Sequence, residues 1–367
     1  MPSRGGSRAM TLCFSDESVN RDGTRDVRAC RTVLVVVRDA ATGMWLADAL
    51  SLLAADGRIL TSFTVVPPAD GMGADEVGPF LRARDCRVLP WPHAVRREFD
   101  LVLAADSHGL VRLKGTLLAL AENADEMCYD RLLASIPFRA EYRRALGLSR
   151  DRKLVVVAPT WPCGRVAAGQ FDLIERLLTA LPPERYRVAA VVHPDVWRVH
   201  GGWQVRAWLA GLLDGGLLLL PSGEGWRAAL VAANLLIGDH SPAMRHAAAI
   251  GLPVMLAVPG PRAVPADGVA ELIYRRARPV RTDLPLLDQV EGAMRGDRSW
   301  QDGIAALMTS APGRAGENLR AVMYRLLDLS EPTRPAPCPP VPLPCLGEEE
   351  VITTAATRSG DPSPGRG

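Results

Sequence analysis

The sequence has little that indicates a disulfide-bonded or zinc-binding protein. Its seven cysteines are scattered along 367 residues, are odd in number and include no Cys-x-x-Cys pair. A disulfide framework or a zinc site would need cysteines at paired, regular spacings, so neither is expected. This use of cysteine fits a reducing compartment, and we expect a cytoplasmic protein.

Long apolar runs are missing as well. No run approaches the ~20 apolar residues of a membrane helix. The first 30 residues carry charge throughout and lack the apolar core of a signal peptide, so we expect them to be disordered. A net charge of +2 gives no argument for a nucleic-acid partner. We expect a soluble chain with no nucleic-acid partner and no transmembrane segment, and peripheral contact with a membrane stays open.

What the sequence does have is alternation of short apolar runs with helical periodicity, which is typical of α/β folds with parallel sheets. In the first half we predict strands at 32–37, 59–66, 86–89 and 100–104, an additional one within 111–120, and helices at 43–55 and 74–84. No Gly-x-Gly-x-x-Gly follows the first strand, so the dinucleotide-binding fingerprint is absent.

The second half repeats this construction more clearly. We predict five strands, at 154–158, 187–192, 217–220, 234–238 and 254–258, and helices at 141–148, 170–181, 202–213, 226–233, 268–276, 284–294 and 314–327. The fold class predicted is α/β, with two Rossmann-like domains facing each other, a short N-terminal domain and disordered termini. The predicted divisions are a disordered N-terminus (1–30), an N-terminal domain on the acceptor side (31–135), a linker (136–152), a C-terminal nucleotide-donor domain (153–312), a C-terminal helix (313–330) and a disordered proline-rich tail (331–367).

One turn within the second half has the pattern of an anion site. It follows the predicted strand 234–238 and reads Asp239-His240-Ser241-Pro242. Ser241 occupies an N-cap position and Pro242 the first helical position, so a helix is expected to begin there. Such a helix would direct its free N–H groups and its positive dipole end into the crevice where parallel sheets bind ligands.

The second half also resembles the CDP-glycerol glycerophosphotransferase family, within the GT-B glycosyltransferase superfamily. The similarity rests on four stretches between about 153 and 258: APTW at 158–161, VHP at 192–194, ANLLIGDHS at 233–241 and GLPV at 251–254. The family has an APTW-type loop, a His-Pro pair that ends the next strand, a strand-to-turn segment ending in Asp-Tyr-Ser-Ser, and a Pro-Val strand start. Here His240 replaces the Tyr and Pro242 the second Ser.

The resemblance and the strand-end positions together suggest the site residues. His193 is a candidate for phosphate contact or acid–base catalysis, and Asp239 for binding a substrate hydroxyl or orienting a histidine. His108 is the nearest candidate for the family's N-terminal His-Gly loop. The remaining candidates are assigned to substrate binding: Thr160, Trp161, Glu224, His240, Ser241 and Arg245. Each also has an ordinary structural explanation, such as helix capping for Asp239, packing for Trp161 and a solvated helix position for Arg245.

Three functions remain open from the sequence. The first is a GT-B transferase that moves a glycerophosphate or glycosyl group from a nucleotide-diphosphate donor to an unknown acceptor. It would need no cofactor and no metal, because no Asp-x-Asp or carboxylate cluster stands at a strand end and a helix dipole can offset the leaving-group charge. The second is a catalytically inactive relative that binds a nucleotide or a partner. The third is a nucleotide-sugar epimerase, which would need acidic groups across the cleft.

Overall fold

The computed structural model describes residues 30–67, 77–78, 81–82, 85–120, 123–158, 171–220, 225–239, 241–257 and 268–344. They form two α/β lobes, each built on one parallel sheet. The first sheet has the strand order β2-β1-β3-β4. Its central strand is β1, whose residues 33–37 are all buried, as the β-branched run there predicts. The strands are β1 Arg31–Val37, β2 Ile59–Val65, β3 Glu98–Ala104 and β4 Lys114–Ala119.

Helices cover this sheet and lead out of it. The first begins three residues earlier than predicted, because Asp39 and Thr42 form a capping box in which each side chain bonds the other's backbone N–H. The strand predicted at 86–89 is reduced to a single bridge between Phe63 and Val88. Most of the helix predicted at 74–84 lies outside the described residues. The helices that follow in this part of the chain are α1 Ala40–Leu50, α2 Trp91–Ala94, α3 Asn123–Ser135 and α4 Arg139–Ala145.

The second sheet has six parallel strands in the order β10-β9-β8-β5-β6-β7. Counted within the lobe this is the doubly wound Rossmann order, with the lobe's first strand, β5, beside its fourth, β8. All five predicted strands are present, and the two-residue β10 is an addition too short to leave an apolar pattern. The strands are β5 Lys153–Ala158, β6 Tyr186–Ala190, β7 Leu218–Leu219, β8 Leu235–Gly238, β9 Val254–Leu256 and β10 Arg278–Pro279.

Helices lie on both faces of the second sheet, since buried cores form on each side of it. The longest begins earlier than predicted and is kinked at Gly201, whose φ of 75° ordinary side chains rarely adopt. The helices are α5 Asp172–Ala180, α6 Pro194–Asp214, α7 Gly225–Ala232, α8 Pro242–Ala249, α9 Gly268–Arg276, α10 Leu286–Arg295, α11 Asp302–Met308 and α12 Ala315–Leu326.

The last helix crosses back to the first lobe. Leu319, Met323 and Tyr324 of α12 are buried in the core that includes β1 and β3. The start of α12 is capped from α3, because the Asp130 carboxylate accepts hydrogen bonds from the N–H of Gly313 (2.6 Å) and of Ala315 (2.8 Å). The chain therefore closes on its first lobe after building its second.

The proline-rich segment corrects one prediction. Residues 331–344 were expected to be disordered, yet they are described and packed against the lobes. Val341 is 2% exposed; its N–H bonds the Ser135 hydroxyl (2.8 Å), and its carbonyl accepts from the Tyr142 hydroxyl. Arg131 donates to the Pro339 carbonyl (3.2 Å). Proline has no backbone N–H to donate, so this segment is held by carbonyl oxygens, such as that of Pro339, and by the N–H of Val341.

The stretch 136–152, predicted as a linker, contains α4. Tyr142 and Leu146 are buried in a core that they share with Leu154 of β5 and with Ala232 of α7. Arg139 donates to the carbonyls of Val231 and Ala233 (2.6 Å each), where α7 ends. The stretch is therefore packed on the second lobe.

A buried ionic triad joins the lobes. Asp48 of α1 accepts from Arg131 of α3 through one carboxylate oxygen and from Arg227 of α7 through the other (2.9 Å). The side chains are 8%, 8% and 1% exposed, in that order. One carboxylate is therefore paired with two guanidinium groups from different helices, and all three side chains are buried.

Candidate functional site

The second sheet changes direction of winding between β5 and β8. These strands are neighbours, but the chain leaves β5 toward β6 and leaves β8 toward β9. The loops that follow β5 and β8 therefore run in opposite directions and leave a crevice between them. Open α/β sheets bind ligands at such switch points. A Cβ on Gly238 would lie 2.8 Å from the Ala158 carbonyl oxygen, so only glycine allows the two strand ends to approach this closely.

The predicted helix start at Ser241 is confirmed. Ser241 has the extended backbone of an N-cap residue (φ −66°, ψ 157°), and Pro242 is the first residue of α8. Its side chain does not cap the helix, however, and the Oγ atom is buried without a hydrogen-bond partner. A buried hydroxyl in this condition costs free energy that a bound acceptor would recover.

Asp239 lies between the end of β8 and this helix and is partly exposed. Its charge acts on Tyr274 of α9: burial raises the pKa of Tyr274, and the negative charge of Asp239 raises it further. Sequence analysis did not identify Tyr274, because nothing local marks it. It is one position of an amphipathic helix, and only the fold brings it within electrostatic reach of Asp239.

His193 lies on the same edge. It follows β6 by three residues, and its side chain is exposed. Because β6 and β8 flank β5 on opposite sides, the ends of these two strands are about two strand spacings, or ~10 Å, apart. His193 therefore lies at the same carboxyl end of the sheet as Asp239 and Ser241, on the other side of β5.

Arg245 and His246 follow in the first turns of α8. Arg245 is half-buried, and its N–H lies 3.4 Å from the Ser241 carbonyl. His246 is 1% exposed and stacks on the indole of Trp226, with ring centroids 5.7 Å apart. His246 therefore contributes to the packing of α8 on α7.

The first sheet has its own switch point, between β1 and β3. Arg38 follows β1, and Asp106 and His108 follow β3. Arg38 forms an ion pair with Asp106 (3.1 Å) and also donates to the His108 carbonyl, while the His108 N–H bonds the same Asp106 oxygen (2.7 Å). The loop is thus fixed through its backbone, and the His108 side chain is exposed at its surface.

Four of the predicted site residues lie outside the described residues: Thr160, Trp161, Glu224 and His240. In the part of the chain that is described, no three or more His, Cys, Asp or Glu side chains gather into a group able to hold a metal ion. The described helices also include none with the length and apolar character to cross a bilayer.

Solved structures share this architecture. A variant of the wall teichoic acid polymerase TagF is 11% identical with a TM-score of 0.51, over 81% of this chain and 89% of that one. A putative UDP-N-acetylglucosamine 2-epimerase from Listeria monocytogenes is 11% identical with a TM-score of 0.49, over 84% and 100%. The UDP-GlcNAc 2-epimerase from Neisseria meningitidis, bound to UDP-GlcNAc, is 9% identical with a TM-score of 0.46, over 81% and 99%. No protein-family model and no curated protein matches the sequence.

At these identities the likeness shows the fold alone. The chain has the GT-B fold, in which two Rossmann-like domains face each other. The resemblance to CDP-glycerol glycerophosphotransferases that the motifs indicate is confirmed at that level.

Proposed function

We propose that this protein is a GT-B transferase that moves a glycerophosphate or glycosyl group from a nucleotide-diphosphate donor to an acceptor. The observation that carries the proposal is the start of α8 at the switch point of the second sheet. There a buried Ser241 hydroxyl without a hydrogen-bond partner adjoins the positive end of a helix, and Gly238 lets the ends of β8 and β5 approach each other closely. A phosphate supplies the acceptors that such a site lacks.

In this proposal the diphosphate of the donor lies against the first turn of α8. Ser241 donates its hydroxyl to a phosphate oxygen, and Arg245, one turn further, neutralises charge. His193 approaches from the β6 side and serves as a phosphate contact or as an acid or base. Asp239 binds a hydroxyl of the transferred group. The undescribed candidates complete the donor side: Thr160, Trp161, Glu224 and His240.

The first lobe would supply the acceptor side. His108 lies at the edge of the first sheet, on a loop fixed by Arg38 and Asp106, and is proposed as its catalytic group. We propose that the reaction needs no cofactor besides the donor, because the helix dipole and cationic side chains stabilise the leaving diphosphate. The acceptor is left open in this proposal.

One observation favours the alternative of a catalytically inactive nucleotide-binding or partner-binding protein. A catalytic base is normally oriented by a third group. Within the described part of the chain, the contacts around His108 go to its backbone N–H and carbonyl, and its imidazole is exposed. Donor binding without turnover would support this alternative.

Calorimetric titration of the full chain with CDP-glycerol, UDP-sugars and GDP-sugars tests the proposal. We expect one nucleotide class to bind, and we expect Ser241→Ala and Asp239→Ala to weaken that binding about tenfold, as loss of a hydrogen bond to a charged group does. His193→Ala should reduce turnover by a factor of roughly 10²–10⁴. The matched control is His93→Ala, an exposed histidine on α2.

The outcomes separate the hypotheses. Turnover lost in His193→Ala and kept in His93→Ala supports the transferase. Binding that Ser241→Ala weakens, with no turnover of any donor, supports the inactive relative. Absence of nucleotide binding in the unmodified chain contradicts the transferase and the nucleotide-binding form of the inactive relative, and leaves its partner-binding form.

A further inference from the structure

The second lobe has a cavity at the amino-terminal ends of its strands, opposite the end at which Ser241 lies. It has a volume of about 440 Å³, within the usual range for small-molecule pockets. Lys153, the first residue of β5, lines it, together with Asn234 and Pro253, which directly precede β8 and β9. Because β8 is four residues long, about 13 Å of strand separates this cavity from the Ser241 turn. A ligand here would not occupy the crevice of the proposed function.

Cationic side chains surround this cavity. Arg139, Lys153, Arg295 and Arg298 line it, and no acidic residue is among its described lining residues. Arg295 is paired with Glu291 (3.0 Å), which lies outside the lining. The other three have no carboxylate partner among the described residues. Arg139 and Arg298 donate to main-chain carbonyls, and the Lys153 ammonium lies 5.5 Å from the centroid of a tyrosine ring.

Helix ends account for part of this charge. The carboxyl-terminal ends of α7, α8 and α10 all reach the cavity, and each helix end is equivalent to roughly half a negative charge. Together they offset about 1.5 of the four positive charges. Glu291, which is also paired with Arg185 (3.0 Å), offsets no more than one further charge, so an excess of about 1.5 positive charges or more remains. Capping alone therefore does not balance the cations.

The positive charge of Arg143, beside the cavity, also favours a bound anion. The pKa of Arg139 is held below its usual range, first by burial and then by the positive charge of Arg143. Arg143 itself is engaged by the Ala232 carbonyl (3.0 Å) and by the Asn234 side-chain oxygen (3.1 Å). An anion in the cavity would relieve the repulsion between these guanidinium groups.

The walls of the cavity limit what the anion is attached to. They are aliphatic, formed by Ile136, Leu230, Ile250, Leu252 and Met294. The one amide side chain among the described lining residues, Asn234, already accepts from the Leu154 N–H (2.9 Å). A sugar or a base would find few partners for its polar groups, whereas methylene groups would be buried favourably.

We propose that this cavity binds an amphiphilic anion: a phosphate or similar head group held by Lys153, Arg139 and Arg298, with an aliphatic chain against the apolar wall. Two sources share this chemistry, a free alkyl phosphate and an anionic lipid at a membrane surface.

Calorimetric titration of the full chain with decyl phosphate below its micelle concentration tests the proposal. Decyl phosphate should bind more tightly than inorganic phosphate and than decyl maltoside, which shares the chain but carries no charge. Lys153→Gln and Arg298→Gln should each weaken binding about tenfold and reduce its salt dependence. Arg325→Gln, which removes the same charge from an exposed position on α12, should leave it unchanged. Circular dichroism verifies that the variants remain folded.

Three results would overturn the proposal: no binding of decyl phosphate at millimolar concentration, equal affinity for inorganic phosphate, or equal weakening in Arg325→Gln. Co-sedimentation with vesicles of phosphatidylglycerol and phosphatidylcholine identifies the source. Sedimentation that is lost in Lys153→Gln and Arg298→Gln assigns the ligand to the membrane. Decyl phosphate binding without sedimentation assigns it to a free amphiphile, and both results support the shared chemistry.

Discussion

The triad of Asp48, Arg131 and Arg227 makes the stability of this protein depend on one carboxylate. Replacing Asp48 with Asn removes the negative charge and keeps the size of the side chain. Two guanidinium groups then remain buried around a neutral amide, one of them only 1% exposed. Neither can move into water without separating the α1, α3 and α7 helices from one another.

The expected magnitude follows from this burial. Removal of one partner from a buried ion pair costs about 3–5 kcal/mol, because it leaves an uncompensated charge. Whole domains are stable by about 5–15 kcal/mol, so this is a large fraction. With a urea slope of about 3 kcal/mol per molar, the midpoint of unfolding in Asp48→Asn should fall by about 1 M or more. Urea titration followed by tryptophan fluorescence and circular dichroism measures it.

Two comparisons make the test specific. Asp283→Asn breaks a pair with Arg281 in which both side chains are mostly exposed, and it should leave the midpoint almost unchanged. Replacing the whole triad with apolar residues, Asp48→Leu with Arg131→Met and Arg227→Met, should recover part of the loss, because no unpaired charge remains although the Pro339 carbonyl loses the hydrogen bond from Arg131. A shift for Asp48→Asn no larger than that of Asp283→Asn would refute the reasoning.

Two further predictions follow from close contacts. Gly238→Ala places a methyl group 2.8 Å from the Ala158 carbonyl oxygen; it should destabilise the second lobe by about 1–3 kcal/mol and weaken nucleotide binding, and unchanged binding in calorimetry would contradict the proposed crevice. Burial and a hydrogen bond to Asp56 raise the pKa of Tyr324 to about 12, so the stability that its neutral form provides is complete below pH ~10 and is lost as the pH rises toward 12. Tyr324→Phe should flatten the pH dependence of the unfolding midpoint between pH 10 and 12, and an unaltered profile would show that Tyr324 does not govern it.

The succession of strands and helices in both lobes could be predicted from local pattern, most clearly at central strands such as β1 and β5, which are buried on both faces. Runs such as 33–37 and 154–158 are continuously apolar, and each is followed by a helical period, so parallel β-α-β units are indicated without any long-range information. The start of α8 could be predicted for a similar reason. Ser241 and Pro242 determine it within two residues.

Helix α3 was not predicted from the sequence, because some of the side chains on its buried side are charged. Asp130 is 3% exposed and Arg131 7%, and their partners come from positions far along the chain: Gly313, Ala315 and Asp48. A pattern of apolar periodicity misses such a helix, since burial here depends on paired charge. The same reasoning explains the segment at 331–344. Its order depends on hydrogen bonds donated by Arg131 and Tyr142, more than 190 residues away.

The candidate site, too, could be predicted from the sequence only in part. That His193, Asp239 and Ser241 share one edge follows from parallel strands, whose carboxyl ends must lie together whatever their order. That β5 and β8 are neighbours is a matter of topology, and it decides that Gly238 faces Ala158 and that two strand spacings separate His193 from Asp239. Tyr274 belongs to the latter class, because the effect of the Asp239 charge on its pKa depends on where α9 packs. Candidates at strand ends can therefore be found from the sequence, while the partners that tune them come from helices whose positions only tertiary packing determines.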